Sequence, residues 1–227
     1  GLTLGQKEYY LDTDKATVDI REAYKKHLIK MFQLFGFNAA QAKAKGEAVL
    51  RFETALAKFS KSSTELRDVE ANYNKMTFAQ FKAKYPNLPV EALLNAEGIK
   101  SAYFQTLVVG QPAFFAGLNK LVTTWNLADR KAYMQWSVIN SSTGYLSSAV
   151  EAEHFDFFGK TMRGKKENFP LWKRATSQVE SVMGEALGRI YCERFFPASS
   201  KTRMEELVKN LQIALAERIK DQDWMTA

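Results

Sequence analysis

Residues 20–36 read IREAYKKHLIKMFQLFG, and the spacing of their apolar side chains decides the fold. Ile20, Tyr24, Leu28, Met31 and Phe35 recur at intervals of three and four, the period that puts side chains on one face of an α-helix. Gly36 follows at once, where the left-handed backbone that ends many helices suits glycine. The same period returns downstream. Asn38 is placed to cap a helix whose face runs through Ala42, Val49, Phe52, Leu56 and Phe59. Thr77 reads as the N-cap of a short helix that must end before Pro86, and Pro89 opens another that closes near Gly98. Helices are expected over Leu127–Asn140 and Tyr145–Phe158. Trp172, Ala175, Val179, Val182, Ala186 and Ile190 share a further face. Met204, Leu207, Leu211, Leu215 and Ile219 share the last, with Pro197 and Ser199–Ser200 between the two. Lys61–Asn72 is polar and reads as a connector. Only residues 103–109 read as a strand or extended piece, ended by Gly110 and Pro112. The expectation is an all-α, multi-helix domain with at most that minor strand.

Composition narrows the function. With 46% hydrophobic and 25% charged residues the chain is globular rather than disordered. A net charge of +7 raises the question of an anionic partner. The 32 basic residues are spread among 25 acidic ones, however, and the densest run, Arg163–Lys166, stops at Glu167. That is a solvated surface rather than a nucleic-acid face, so no nucleic-acid partner is expected. No apolar run approaches the ~18 residues of a membrane span. Residues 1–14 lack the basic start and apolar run of a signal peptide, and a chain opening on Gly1 reads as a processed or excised piece.

Catalytic chemistry is scarce. Of two histidines, His154 lies in Glu151-Ala152-Glu153-His154-Phe155-Asp156, where Glu151 and His154 share a helix face. A metal needs three or four converging ligands, so His154 and His27 read as structural residues. The single cysteine, Cys192, excludes an internal disulfide and follows an apolar helix face, the pattern of a buried packing thiol. Gly184 and Gly188, one helical turn apart, suggest close packing against a neighbouring helix. No catalytic, cofactor-binding or metal-binding residue is assigned.

The unusual stretch is Tyr73-Asn74-Lys75-Met76-Thr77, preceded by Arg67-Asp68. It resembles a signature of the neprilysin-like zinc metallopeptidases (the neprilysin and endothelin-converting-enzyme type). So do Glu8-Tyr9-Tyr10-Leu11, Val108-Val109-Gly110-Gln111-Pro112, Phe155–Thr161 and Asp223-Trp224-Met225. The stretch from Trp172-Lys173-Arg174 through Gly184–Gly188 to Tyr191 is the clearest match. In order over the chain, these segments are specific.

The resemblance implies part of the N-terminal helical, non-catalytic domain over residues 1–227. Such a domain covers the catalytic cleft and restricts access to peptide substrates. It also implies a zinc ion held outside this chain by an HExxH motif, whose two histidines reach the metal while the Glu between them activates its water, and by a downstream glutamate. No HExxH occurs here, so the chain alone is expected to be inactive and to bind no zinc. Its partners would be the missing catalytic domain and, for the parent, peptides. An extracytoplasmic location follows from the same resemblance. A cysteine is common in the family where Ala175 stands, and an aliphatic residue at Cys192; both departures point to a bacterial-type member. Tyr73, Asn74, Lys75, Trp172 and Arg174 either line a substrate chamber or hold helix junctions through an Asn cap, a buried Trp and an Arg on helix-end carbonyls. Met76, Thr77, Gly184 and Gly188 complete the signature set and read as structural. The rival reading is a stand-alone basic all-α protein that binds a partner or polyanion.

Overall fold

The computed structural model describes residues 1–224, apart from the side chain of Ser101. Met225, singled out above, lies outside the described residues. The chain is helical almost throughout and divides into two compact units, residues 1–168 and 169–227.

The first unit is built on α2 (Lys15–Leu34), α3 (Ala39–Ala57) and α8 (Leu127–Ser142), preceded by a single turn, α1 (Glu8–Leu11). Asp14 caps α2 by accepting from Thr17 N at 3.0 Å. Asn38 caps α3 through a capping box with Gln41. Between them Gly36 adopts φ +87°, a left-handed turn no β-branched residue would take readily. Tyr24, Leu28, Met31 and Phe32 of α2 are buried against Val49 of α3 and Trp136 of α8. The expected stripe therefore ends on Phe32: Phe35 is the C-cap and stands exposed. Gly46 lets α2 and α3 approach closely, since a Cβ there would lie 2.9 Å from Ile29 Cγ1 and 3.2 Å from the Ile29 backbone nitrogen.

A smaller lobe follows α3. Lys61–Asn72 is no plain connector: it holds a 3-10 turn, Glu65–Arg67, and the single turn α4 (Val69–Asn72). Beyond it, β1 (Lys75–Thr77) pairs antiparallel with β2 (Thr106–Val108). The strand expected within 103–109 thus shrinks to its last part, with a 3-10 turn at Ser101–Tyr103. Helices α5 (Phe78–Lys84) and α6 (Val90–Ala96) lie between the strands. Phe78, Phe81, Tyr85, Phe104 and Val109 form this lobe's own core.

Helix α7 (Pro112–Thr124) leads back to α8. Then α9 (Ser148–His154) passes directly into a π-helical segment, Phe155–Thr161. What reads in sequence as one helix ending near Phe158 is thus two windings, and the wider one turns Phe157 into the core.

The second unit holds α10 (Leu171–Phe195) and α11 (Ala198–Lys220). Helix α10 is broken at Met183, where φ −127° and ψ 22° leave the helical range. Pro197 sits at the N-cap of α11, so Ser199 and Ser200 belong to its first turn rather than to a separating loop.

Candidate functional site

Three features of the molecule are candidates: a buried polar centre, a histidine cluster and the signature junction. The first was not legible as a motif. Glu53 is fully buried in α3, on the apolar face between Val49 and Leu56. Its carboxylate accepts from four donors: Thr3 N at 3.3 Å, the Thr3 hydroxyl, and the hydroxyls of Tyr10 and Tyr24, each at 2.9 Å. Trp136 Nε1 donates in turn to Thr3 Oγ1 at 3.0 Å, and Leu4 N to the Tyr10 hydroxyl at 3.0 Å. Burial pushes the Glu53 carboxyl above its usual range, and the Thr3 and Tyr hydroxyls pull it back. Burial, then the Glu53 charge, raises both tyrosines. A charged residue on an apolar helix stripe was the one signal in the sequence for this centre.

The histidines meet, though not as the Glu151–His154 pairing anticipates. His27 is buried and its Nδ1 lies 3.0 Å from Glu153 Oε1, while its ring stacks on Phe157 with centroids 4.9 Å apart. His154 packs on Phe158 at 4.6 Å, and its ring centroid is 6.3 Å from that of His27. Burial, then His27 and Arg163, holds His154 down at about 4. Among the described residues, no group of three or more His, Cys, Asp and Glu could hold a metal ion.

The signature junction is tightly hydrogen-bonded. Asp68 caps α4 by accepting from Ala71 N at 2.9 Å. Asn72 Nδ2 donates to the Asp68 and Glu65 carbonyls, and Lys61 Nζ to Asn72 Oδ1 at 2.7 Å. The Ser62 backbone N–H and hydroxyl, with Lys7, hold the Glu65 carboxyl down at about 2. Asn74 Nδ2 donates to Ala71 O at 3.1 Å, and its own carbonyl accepts from Val109 N at 2.9 Å. Lys75 pairs with Val108, Met76 packs on the small-lobe core, and Thr77 caps α5 in a box with Gln80. Tyr73 is 60% exposed. This group joins a helix end to a ribbon and a helix start, whatever else it does.

The signature residues of the second unit behave differently. Trp172 is 69% exposed rather than buried. Arg174 Nε donates to the Phe169 carbonyl at 2.9 Å, a loop oxygen rather than a helix-end one. A Cβ on Gly184 or Gly188 would meet nothing within 4 Å, so neither glycine seats a neighbouring helix among the described residues. Cys192 is exposed, not a buried packing thiol. The apolar residues read as stripes lie within α10 and α11, with the break at Met183 interrupting the α10 stripe, and neither helix has a buried residue. Val182 is 72% and Leu211 61% exposed. No described helix is long and apolar enough to cross a membrane.

Known proteins share this arrangement. The zinc metalloprotease Zmp1 of Mycobacterium tuberculosis, in its open state, matches with a TM-score of 0.84 and 32% identity, over 100% of this chain and 35% of its own. Endothelin-converting enzyme-like 1 of Mus musculus is 28% identical over 100% of this chain and 29% of its own length. The neutral endopeptidase of Lactobacillus helveticus is 26% identical over 93% of this chain and 32% of its own. The chain thus spans about a third of the length of these relatives. The family model described as Peptidase family M13 matches residues 1–227, and the chain belongs to that family.

Proposed function

We propose that residues 1–227 are part of the N-terminal, non-catalytic helical domain of a zinc-dependent metalloendopeptidase. In this reading the domain covers the cleft of a catalytic domain borne elsewhere on the polypeptide. It admits flexible peptides and excludes folded proteins. The observation that carries it is the match of the whole chain to a peptidase family whose members are about three times as long. Among the described residues no group of His, Cys, Asp and Glu fits a zinc ion, and in this reading hydrolysis belongs to residues outside this chain. This chain supplies walls. The uncovered apolar stripes of α10 and α11 support the rest of the polypeptide as their cover, because water-facing stripes of that extent mark interaction surfaces. By family resemblance the whole protein works outside the cytoplasm.

The test uses the full polypeptide that carries this chain. Short peptides should be cut in a reaction that a zinc chelator abolishes, and a folded protein bearing the same sequence in a surface loop should be spared. Equal cleavage of both overturns the covering role. Peptide hydrolysis that ignores the chelator overturns the zinc assignment.

A further inference from the structure

The signature segments around Tyr73–Thr77 and Val108–Pro112 meet as β1 and β2, and the ribbon they form has one guarded edge and one open edge. Register decides which backbone groups point where. In an antiparallel pair, facing residues alternate between exchanging hydrogen bonds and turning their N–H and C=O outwards. The bonds from Val109 N to Asn74 O and from Phe78 N to Gln105 O, both 2.9 Å, set the phase. Met76 and Leu107 are therefore a bonded pair, whereas Lys75 with Val108 and Thr77 with Thr106 turn outwards. On the β1 side, Thr77 N–H is taken by Gln80 Oε1 at 2.8 Å, and Lys75 places a charge on the strand. On the β2 side, the N–H and C=O of Thr106 and Val108 have no hydrogen-bond partner among the described residues.

Natural edge strands limit further pairing by being very short or by carrying lysine, proline or a bulge. With three residues β2 is short, but none of Thr106, Leu107 and Val108 is a lysine, a proline or a bulge, and Val108 is 55% exposed. Donor and acceptor groups that recur every second residue match one kind of partner, an extended backbone.

We propose that the outer edge of β2 takes up an extended segment of the peptide substrate as a third strand. The proposal rests on the peptidase reading, which makes an unfolded peptide chain the molecule this domain meets. Main-chain pairing holds such a segment whatever its sequence. The exposed β-branched side chains of Thr106 and Val108 favour β-branched or aromatic residues at alternate positions of the incoming strand, and Lys75 on the same face favours an acidic one.

Hydrogen–deuterium exchange of the full polypeptide, with turnover stopped by a chelator, tests this at residues 104–110. The probe is an unstructured dodecapeptide rich in Val, Thr and Glu. It should slow exchange of the Thr106 and Val108 amides by about tenfold or more at saturation. The same peptide N-methylated at alternate residues should leave them unchanged. Val108→Pro takes away the outward N–H at 108 without removing a ladder hydrogen bond and should abolish the protection read at Thr106, whereas Val108→Ala should keep it. The proposal is overturned by no slowing, by equal slowing with the methylated peptide, or by amides already slow without peptide, which would mean the protein's own chain covers the edge. Binding is read with hydrolysis stopped, so failure of the peptidase reading shows separately, as absent chelator-sensitive cleavage.

Discussion

Glu53 shows how one side chain can organise a core. A carboxylate without exposure needs its lone pairs satisfied, and the donors from Thr3, Tyr10 and Tyr24 do that. Glu53→Ala would strand three hydroxyls and open a cavity, for an expected loss of roughly 3 kcal/mol or more, measured by denaturant unfolding. Glu53→Gln, which keeps the shape and one carbonyl acceptor, should lose less. Glu53 and His154 pull oppositely with pH. The Glu53 carboxyl lies above its ordinary range in the folded state, so its contribution is present at low pH and lost as pH rises through the raised value. His154 lies at about 4, below its ordinary 6.5, so its contribution is complete above 6.5 and lost as pH falls towards 4. Unfolding free energy should therefore carry a falling component between pH 6.5 and 4.5 that His154→Phe removes.

Among the elements, helix faces and caps were legible because each rests on residues close in sequence. Asn38 and Thr77 cap as their side chains predict, and Gly36 turns left-handed where the stripe ends. The ribbon was half legible. Lys75–Thr77 has no strand-like alternation of its own and becomes a strand only because β2 arrives beside it, a partner 31 residues on that local pattern does not announce. The widened winding at Phe155–Thr161 likewise answers to the pocket that Phe157 fills. Two substitutions test these junctions. Gly46→Ala gains about 1 kcal/mol of helix propensity but overpacks the α2–α3 contact by about 1–3 kcal/mol, so a net loss is expected in a thermal melt. Asn74→Ala removes the bond to Ala71 O and should lower stability by about 1 kcal/mol. An unchanged melt would favour a substrate contact at Asn74 over a junction.

Across the whole molecule, the apolar residues of α10 and α11 fall within helices as their spacing predicts, but a stripe shows only that a face must be covered. It carries no information about what covers it, which is why Gly184, Gly188 and Cys192 read as interior and stand exposed, as does Trp172, which reads as either chamber-lining or buried at a junction. Left alone, these faces should drive association. Sedimentation of the isolated chain is expected to show concentration-dependent oligomers, which Leu211→Glu or addition of the remaining polypeptide disperses. A strictly monomeric chain at high concentration would remove the main physical support for the covering role.

The Glu53 centre also has a consequence in time. Its groups come from residues 3, 10, 24, 53 and 136, and the Trp136–Thr3 bond spans 133 positions. During synthesis, Thr3 leaves the ribosome first and waits until Trp136 has been added and has cleared the exit. Until then Thr3 Oγ1 lacks the Trp136 Nε1 donor, in a chain whose α2 and α3 are already able to pair. Closure of so long a loop is slow compared with helix formation. Refolding should accordingly show early helix signal and a later tryptophan change as Trp136 docks, and a chain cut short before α8 should keep its helices without ever completing the core.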